Sequence, residues 1–352
     1  MAGKKIGHQS VLFKNRPVIS GMCSVVGKKE GEGPLRDYFD VILKDDMYGE
    51  KTWEKAESKM LKEAVLTAAR HSGVSPKEID VMLTGDLLNQ LMSSAFMARD
   101  LPIPFLGLYG ACSTMTQAML TAAMIVDGGY GDHVVAGASS HFCTAERQFR
   151  MPLEHGNQRP PSAQWTATAA GAVVISSEVQ EDTGALLPIP NTVCLTGGTI
   201  GKIIDTGMKD TNQMGAAMAP AAVDTMLNHF EDTGTAPEDY DIILTGDLGF
   251  IGKEIAMDLL AGAGIRKKTL ENIYDDCGAM LYNREQDVHS GGSGCGCSAS
   301  VYTAFLLRKM RKGEIRRALI LSTGALLSTI SPFQGESIPG IAHAVSLEIR
   351  EE

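Results

Sequence analysis

The chain has 352 residues, 44% of them hydrophobic and 21% charged, a globular balance that excludes a disordered, fibrous or coiled-coil protein. Its 32 basic and 42 acidic residues leave a formal charge of −10 with no Lys/Arg-rich block, so neither nucleic acid nor an anionic membrane surface is the expected partner. Seven cysteines without metal-type or small-scaffold spacing fit reduced thiols in a cytosol-like compartment.

The stretch Met1–Ser10 is basic but lacks the apolar run of a signal peptide. No segment reaches the roughly 18 apolar residues of a membrane span, so a soluble chain is expected. Met60, Ala64 and Ala68 are spaced by four, which predicts one helix face ahead of Gly73, and Ser75–Leu87 then reads as a turn and a strand closing on Thr84, Gly85 and Asp86. Pro104–Met115 reads as a strand running into a tight glycine turn, with Cys112 at the first turn of the next helix. That helix carries Met115, Ala118, Met119, Ala122, Ala123, Ile125 and Val126, apolar almost all round, and should be buried. Val134–Ser140 is a strand leading to His141 and to Glu146, Arg147 and Arg150; the segment Arg150–Pro161 reads as a long loop, and Gly171–Ser176 as a further strand.

The second half repeats the first. Ser75–Leu87 matches Ala236–Leu248 at an offset of 161 with seven of thirteen positions identical, and Met218, Ala222, Met226 and Phe230 form a second helix face before Gly234. A weaker echo at an offset of 185 pairs Cys112 and Ser113 with Cys297 and Ser298, Gly128 with Gly313, and Val134–Ala136 with Leu319–Leu321. The change of offset places an insertion within Lys253–Ser290, expected to be loop. Alternating helix and strand argues for α/β layering with parallel neighbours, in two halves, 1–185 and 186–352, that divide between Glu181 and Pro190 and pack as one body. The helix Ser298–Lys312 turns basic at Arg308, Lys309, Arg311 and Lys312 and should reach solvent there.

Cys112 at a helix start sits in the positive end of the helix dipole, which lowers a thiol pKa and suits an acyl-accepting nucleophile; equally, cysteine is a small hydrophobe that fits where a glycine turn meets a buried helix. The free N–H groups of Cys112 and Ser113 would also hold a carboxylate. His141, His289 and His343 are the candidate bases, each with a structural role as the alternative. Arg147 and Arg150 are the local answer to the global negative charge, since a guanidinium clamps a carboxylate bidentately. Asp86 and Asp247 stand at equivalent strand ends, where each would cap the next helix; for Asp86 a pocket role is the alternative. Gly291–Gly296 fits no phosphate-loop pattern, and neither Cys295-Gly296-Cys297 nor His141-Phe142-Cys143 is completed into a metal site, so no metal or cofactor is expected.

A duplicated α/β half with a cysteine at the start of a buried helix resembles the thiolase-like superfamily. Within it the chain is similar to a stage V sporulation family of endospore-forming bacteria, through Thr84–Gln90, Gly110–Thr114, Ser139–His141, Thr144–Arg150, Met218–Ala222, Gly291–Cys295, Thr323–Ser328 and Ser337–His343. The resemblance implies a five-layered αβαβα fold. It also implies binding of dipicolinic acid, as its calcium chelate, during uptake into the forespore and release in germination. Peripheral association with the spore inner membrane through membrane proteins of the same system would go with it, and homodimers are usual in the superfamily.

The Gly-His-Pro motif of thiolases is absent, Ser293 and Gly294 standing about there, and Gly340 stands at the later thiolase cysteine site. A cysteine without its proton-transfer partners suits holding a ligand better than exchanging acyl groups. The expected ligand contacts are therefore the helix start at Cys112 and Ser113 for one carboxylate, Arg147 with His141 or His343 for the other, and Asp86 orienting a donor or approaching calcium. The rival reading is an acyl-transfer enzyme with Cys112 as nucleophile.

Overall fold

The computed structural model describes residues 3–149, 159–178 and 191–350. Five principal strands form the first half, β1 Val18–Val26, β2 Val81–Asp86, β3 Phe105–Gly107, β4 His133–Ser140 and β5 Ala169–Ser176. Five more form the second, β6 Val193–Ile200, β7 Ile242–Thr245, β8 Tyr274–Asp276, β9 Arg317–Ala325 and β10 Gly340–Ile349. Their spatial orders, β1-β5-β4-β2-β3 and β6-β10-β9-β7-β8, are the same order shifted by one half. The sense of pairing repeats too. In the first sheet β5 runs antiparallel to β1 and β4 while β4-β2 and β2-β3 are parallel, and in the second β10, β9, β7 and β8 follow suit. The sheets meet edge to edge where Cys194 of β6 pairs with Val18 of β1.

The helices that position the site are α1 Trp53–Ser72, α2 Thr114–Asp127, α3 Phe142–Phe149, α4 Met214–Thr233, α5 Gly249–Gly262 and α6 Cys295–Val301. The long pair α1 and α4 end as the sequence predicts, at Gly73 and Gly234 in the left-handed region (φ 75° and 67°), where a residue with a Cβ is strained. Helix α1 covers β1 and β5 from outside, α4 covers β9 and β10, and α2 packs against strands of both sheets beside α6. The layers are therefore α1, first sheet, α2 with α6, second sheet, α4: the expected thiolase-like αβαβα order. Met115, Ala118, Met119, Ala122 and Ala123 of α2 are fully buried, as an all-round apolar helix between two sheets must be.

Three local expectations need correction. The insertion within Lys253–Ser290 is largely helical, carrying the end of α5 and the short helices Lys267–Ile273 and Cys277–Leu281. The basic end of the last inner helix is not wholly solvated: Arg311 is buried, donating to the Ile19 and Ser20 carbonyls, and Arg308 pairs with Asp40 at 2.5 Å. Strands β1, β6 and β10 are not among the predicted elements, although Val18–Val26 carries six apolar residues in nine. The expected boundary between Glu181 and Pro190 and most of the Arg150–Pro161 loop lie outside the described residues.

Beyond that loop, the segment that follows Pro160 crosses to the second half. Trp165 and Thr166 pair in parallel with Gly292 and Ser293, and Arg159 is tied to Asp287 at 2.6 Å. Phe142 stacks on Trp165 at 3.9 Å and Lys29 lies over the same ring at 4.0 Å, so the crossing is pinned from several sides.

Candidate functional site

Past β3 the chain enters α2 through a tight turn, Ala111–Ser113, in which Ala111 takes an uncommon left-handed conformation (φ 51°). This turn brings Cys112 into the wall of a cavity of about 90 Å³, room for several waters. Leu87, Tyr109, Phe149, Met214 and Leu327 supply apolar wall, and Gln164, Thr166, Asn212, Ser293 and Glu146 supply polar atoms. Among the described residues no histidine, lysine or arginine lines it.

Behind Cys112 stands Asp247, almost wholly buried. Thr323 Oγ1 donates to its Oδ1 at 2.8 Å, and Gly294 N–H and Ser293 Oγ donate to Oδ2 at 2.8 and 3.2 Å. The Asp247 carboxylate lies near enough to Cys112 to act on its thiol. Gly294 reaches this position only because it sits at φ 95°, a conformation that favours glycine. Burial pushes the Asp247 carboxyl up to about 6 despite these donors. Gln164, carried by the crossing segment, donates through Nε2 to the main-chain carbonyls of Asp247 and Gly292, both at 2.7 Å, while its buried Oε1 has no partner.

The expected lowering of the Cys112 pKa is reversed. Burial first, then the Asp247 carboxylate, raises the thiol well above its ordinary value. A helix terminus contributes roughly 0.3–1 kcal/mol, whereas full desolvation moves a group by several pKa units at about 1.4 kcal/mol each, so burial wins. The carboxylate-holding role of the helix start is likewise spoken for at Ser113, whose N–H and Oγ both donate to the Gly110 carbonyl, at 3.0 and 2.7 Å.

The other expected contacts are drawn elsewhere. His141 is buried, its Nε2 bonded to the Asp46 carbonyl at 2.8 Å and its Nδ1 accepting from Cys143 N–H at 3.2 Å. His343, in β10, accepts the Gly201 N–H on Nδ1 at 3.2 Å, and burial lowers its pKa to about 4. His289 bonds the Pro160 carbonyl and Asp287 at 2.9 and 3.2 Å. Arg147 is paired with Glu54 and lies over Trp53 at 5.6 Å. Arg150 lies outside the described residues. Of Asp86, Cys112, Ser113, His141, Arg147 and His343, the cavity wall contains only Cys112.

Asp86 takes the capping alternative: it accepts from Leu88 N–H at 3.2 Å and from Ser94 N–H at 2.9 Å, in the first turn of the helix Met92–Arg99. Asp247 does not cap α5. Asp276, from the insertion, does so instead, accepting from Leu248 and Gly249 N–H at 2.9 and 2.8 Å.

Asp86 has a buried carboxylate neighbour that sequence reasoning missed. Glu57 of α1 accepts from Ser139 and Thr144 at 3.0 and 3.2 Å, and burial together with Asp86 raises it to about 8. Asp247 had a signal in its duplication, but the repeat suggested a cap. Gln164 and Asn212 had none, since nothing local marks a residue that the crossing segment or a distant loop brings to a wall; Glu146 stood in the segment after β4 but was given no role there.

With this geometry in view, comparison with known proteins is consistent at every level. The family described as stage V sporulation protein AD matches residues 7–348. A Bacillus subtilis (strain 168) protein named stage V sporulation protein AD is 41% identical over 345 residues, 98% of each chain. Among solved structures, a variant of Xanthomonas campestris OleA superposes with a TM-score of 0.60 at 13% identity, over 96% of this chain and 97% of that one. Aquifex aeolicus 3-oxoacyl-[acyl-carrier-protein] synthase III gives 0.55 at 14% identity, over 94% and 99%. Human mitochondrial 3-ketoacyl-CoA thiolase gives 0.54 at 13%, over 98% and 100%. At such identities these three speak for the fold alone.

Proposed function

Since the chain belongs to the stage V sporulation protein AD family, we propose that it serves sporulation as a non-enzymatic binding protein for dipicolinic acid, carried as its calcium chelate into the forespore and released in germination. The observation that carries this reading is a cavity which reaches Cys112 yet offers it no imidazole, ammonium or guanidinium among the described residues. A thiol raised by burial and faced by a carboxylate is a poor acyl acceptor, while a slot walled by Tyr109 and Phe149 suits a flat aromatic ring.

The charge pattern supports the chelate. A bare dicarboxylate would meet the Asp247 carboxylate behind Cys112 with no cation lining the wall among the described residues, whereas the 1:1 calcium chelate is neutral overall. Calcium takes oxygen ligands, which Glu146, Asn212 and Thr166 offer around the slot. No helix among the described residues is long and apolar enough to cross a membrane, so location at the spore inner membrane would be peripheral, through membrane proteins of the same sporulation system. A homodimer is part of the same proposal: the edge strand β3 presents Leu106, 54% exposed.

Calorimetry of the full chain with dipicolinate, with and without calcium, tests the ligand. Saturable binding that prefers the 2,6-dicarboxylate over an isomeric pyridine dicarboxylate is expected; no heat of binding under either condition sinks the proposal.

The rival acyl-transfer reading has one observation in its favour, that Cys112 lines the cavity of a fold shared with 3-oxoacyl synthase III and thiolase. Incubation with acyl-coenzyme A esters is expected to leave the intact mass unchanged. A Cys112 acyl adduct that turns over would instead make the protein an enzyme.

A further inference from the structure

We propose that Glu57 is the residue that positions the α3 wall of the cavity, and that it sets ligand affinity from outside the cavity. The binding half of this inference rests on the dipicolinate reading; the structural half does not. Helix α1 turns Ala56, Met60, Leu61 and Ala64 into the core, and Glu57 lies among them with 1% exposure. A carboxyl where the helical pattern calls for an apolar side chain carries a desolvation cost, and such a break in the pattern points to what the group holds.

Glu57 holds the junction between β4 and α3. Ser139 Oγ, near the end of β4, donates to its Oε1 at 3.0 Å, and Thr144 Oγ1, on α3, meets its Oε2 at 3.2 Å. Thr144 is buried against α1, while Ala145, Glu146 and Phe149 of the same helix line the cavity, although Glu57 itself does not. A helix of eight residues is too short to hold itself, so its pose is set by what it packs against. At its start, Phe142 N–H donates to Thr168 Oγ1 at 3.1 Å and the ring stacks on Trp165. Further along, α3 meets α1 at Thr144 and at the Arg147–Glu54 pair, and the second is a surface ion pair of little worth. The buried contact therefore decides where Ala145 and Phe149 stand. The end of β4 has an independent hold, since the Cys295 thiol donates to the Ser139 carbonyl at 2.9 Å and the strand pairs with β2 and β5.

Hydrogen–deuterium exchange and calorimetry on full-chain variants test the two halves together. Thr144→Val keeps the side-chain shape and removes the hydroxyl, so the amides of Ala145–Phe149 should exchange about tenfold faster, with α2 unchanged. A wall that is in place about a tenth as often lowers apparent affinity by the same factor, so dipicolinate with calcium should bind about tenfold more weakly. Glu57→Ala should do the same. Glu57→Gln should show neither change, because its amide N–H can serve Thr144 while the Thr144 hydrogen stays on the His141 carbonyl at 2.9 Å. Ser139→Ala should leave both readouts near the parent. Parental α3 exchange in folded Thr144→Val overturns the proposal, and so does a loosened α3 with parental affinity, or a loss in Ser139→Ala equal to that in Thr144→Val. Should Glu57→Ala not fold, Thr144→Val still decides. A parent chain that binds no dipicolinate sinks the ligand reading alone, and the exchange rates then decide whether Glu57 positions α3.

Discussion

Ala145→Phe is expected to weaken dipicolinate binding by about a hundredfold or more while leaving the protein folded, because a ring grown from α3 takes up the slot between Tyr109 and Phe149. Ala145 is 2% exposed and lines the cavity, so a phenyl ring grown there competes with a ligand for the same space. Overpacking costs roughly 1–3 kcal/mol in a tight core but less beside a void, so stability should change little. Ala163→Leu, on the opposite crossing segment, should give the same loss by an independent route. Arg147→Ala is the informative control. Its side chain is spent on Glu54 and Trp53, so binding should stay within about twofold of the parent, although sequence alone puts this arginine on the ligand. Isothermal titration of the three variants decides the matter: parental affinity in both cavity-filling variants would place the ligand somewhere else.

The second large effect is on stability. Glu57 titrates near 8 when folded, and Glu30 and Asp276 near 7, all raised mainly by burial. A folded carboxyl with a raised pKa binds protons that the unfolded chain has already released, so its stabilising share is complete below the unfolded value of about 4.5 and drains away as pH rises through the folded value. Thermal unfolding should therefore show the protein more stable at pH 5 than at pH 8, by on the order of 3 kcal/mol from Glu57 alone. Glu57→Gln should remove Glu57's share of that slope, leaving the shares of Glu30 and Asp276, and raise Tm at pH 8, since Ser139 and Thr144 hydroxyls can reverse to serve an amide. A Tm that climbs between pH 5 and pH 8 contradicts this account, as does a Glu57→Gln variant with the parental slope.

Much of the fold was legible because the chain writes its plan twice. The helix faces ending at Gly73 and Gly234, the paired Leu-Thr-Gly-Asp strand ends and the all-apolar α2 each stand where periodicity puts them. The strands that went unread are β1 and β6, the first of each half, and β10, the last in the chain; β6 echoes β1 and β10 echoes β5 in shape, with no shared residues strong enough to show it. The site was less legible for a physical reason. Periodicity tells which side of an element is buried but not what a buried polar group bonds to.

Asp247 illustrates the point. Its twin Asp86 does cap a helix, and the same duty was expected of Asp247. The insertion, which has no counterpart in the first half, delivers Asp276 to that duty and frees Asp247 to face Cys112. The histidines were placed near Cys112 by reasoning from strand ends. Each instead has a local partner that a linear reading does not reveal.

The crossing segment has a thermodynamic consequence. Cys112 and Tyr109 come from the first half and Ser293 and Met214 from the second, with Gln164 bonded across the divide, so the cavity is a gauge of the spacing between two bodies. Occupancy and inter-half packing are then linked functions: a ligand that bridges both walls strengthens their contact, and strain that parts them weakens affinity by the same free energy.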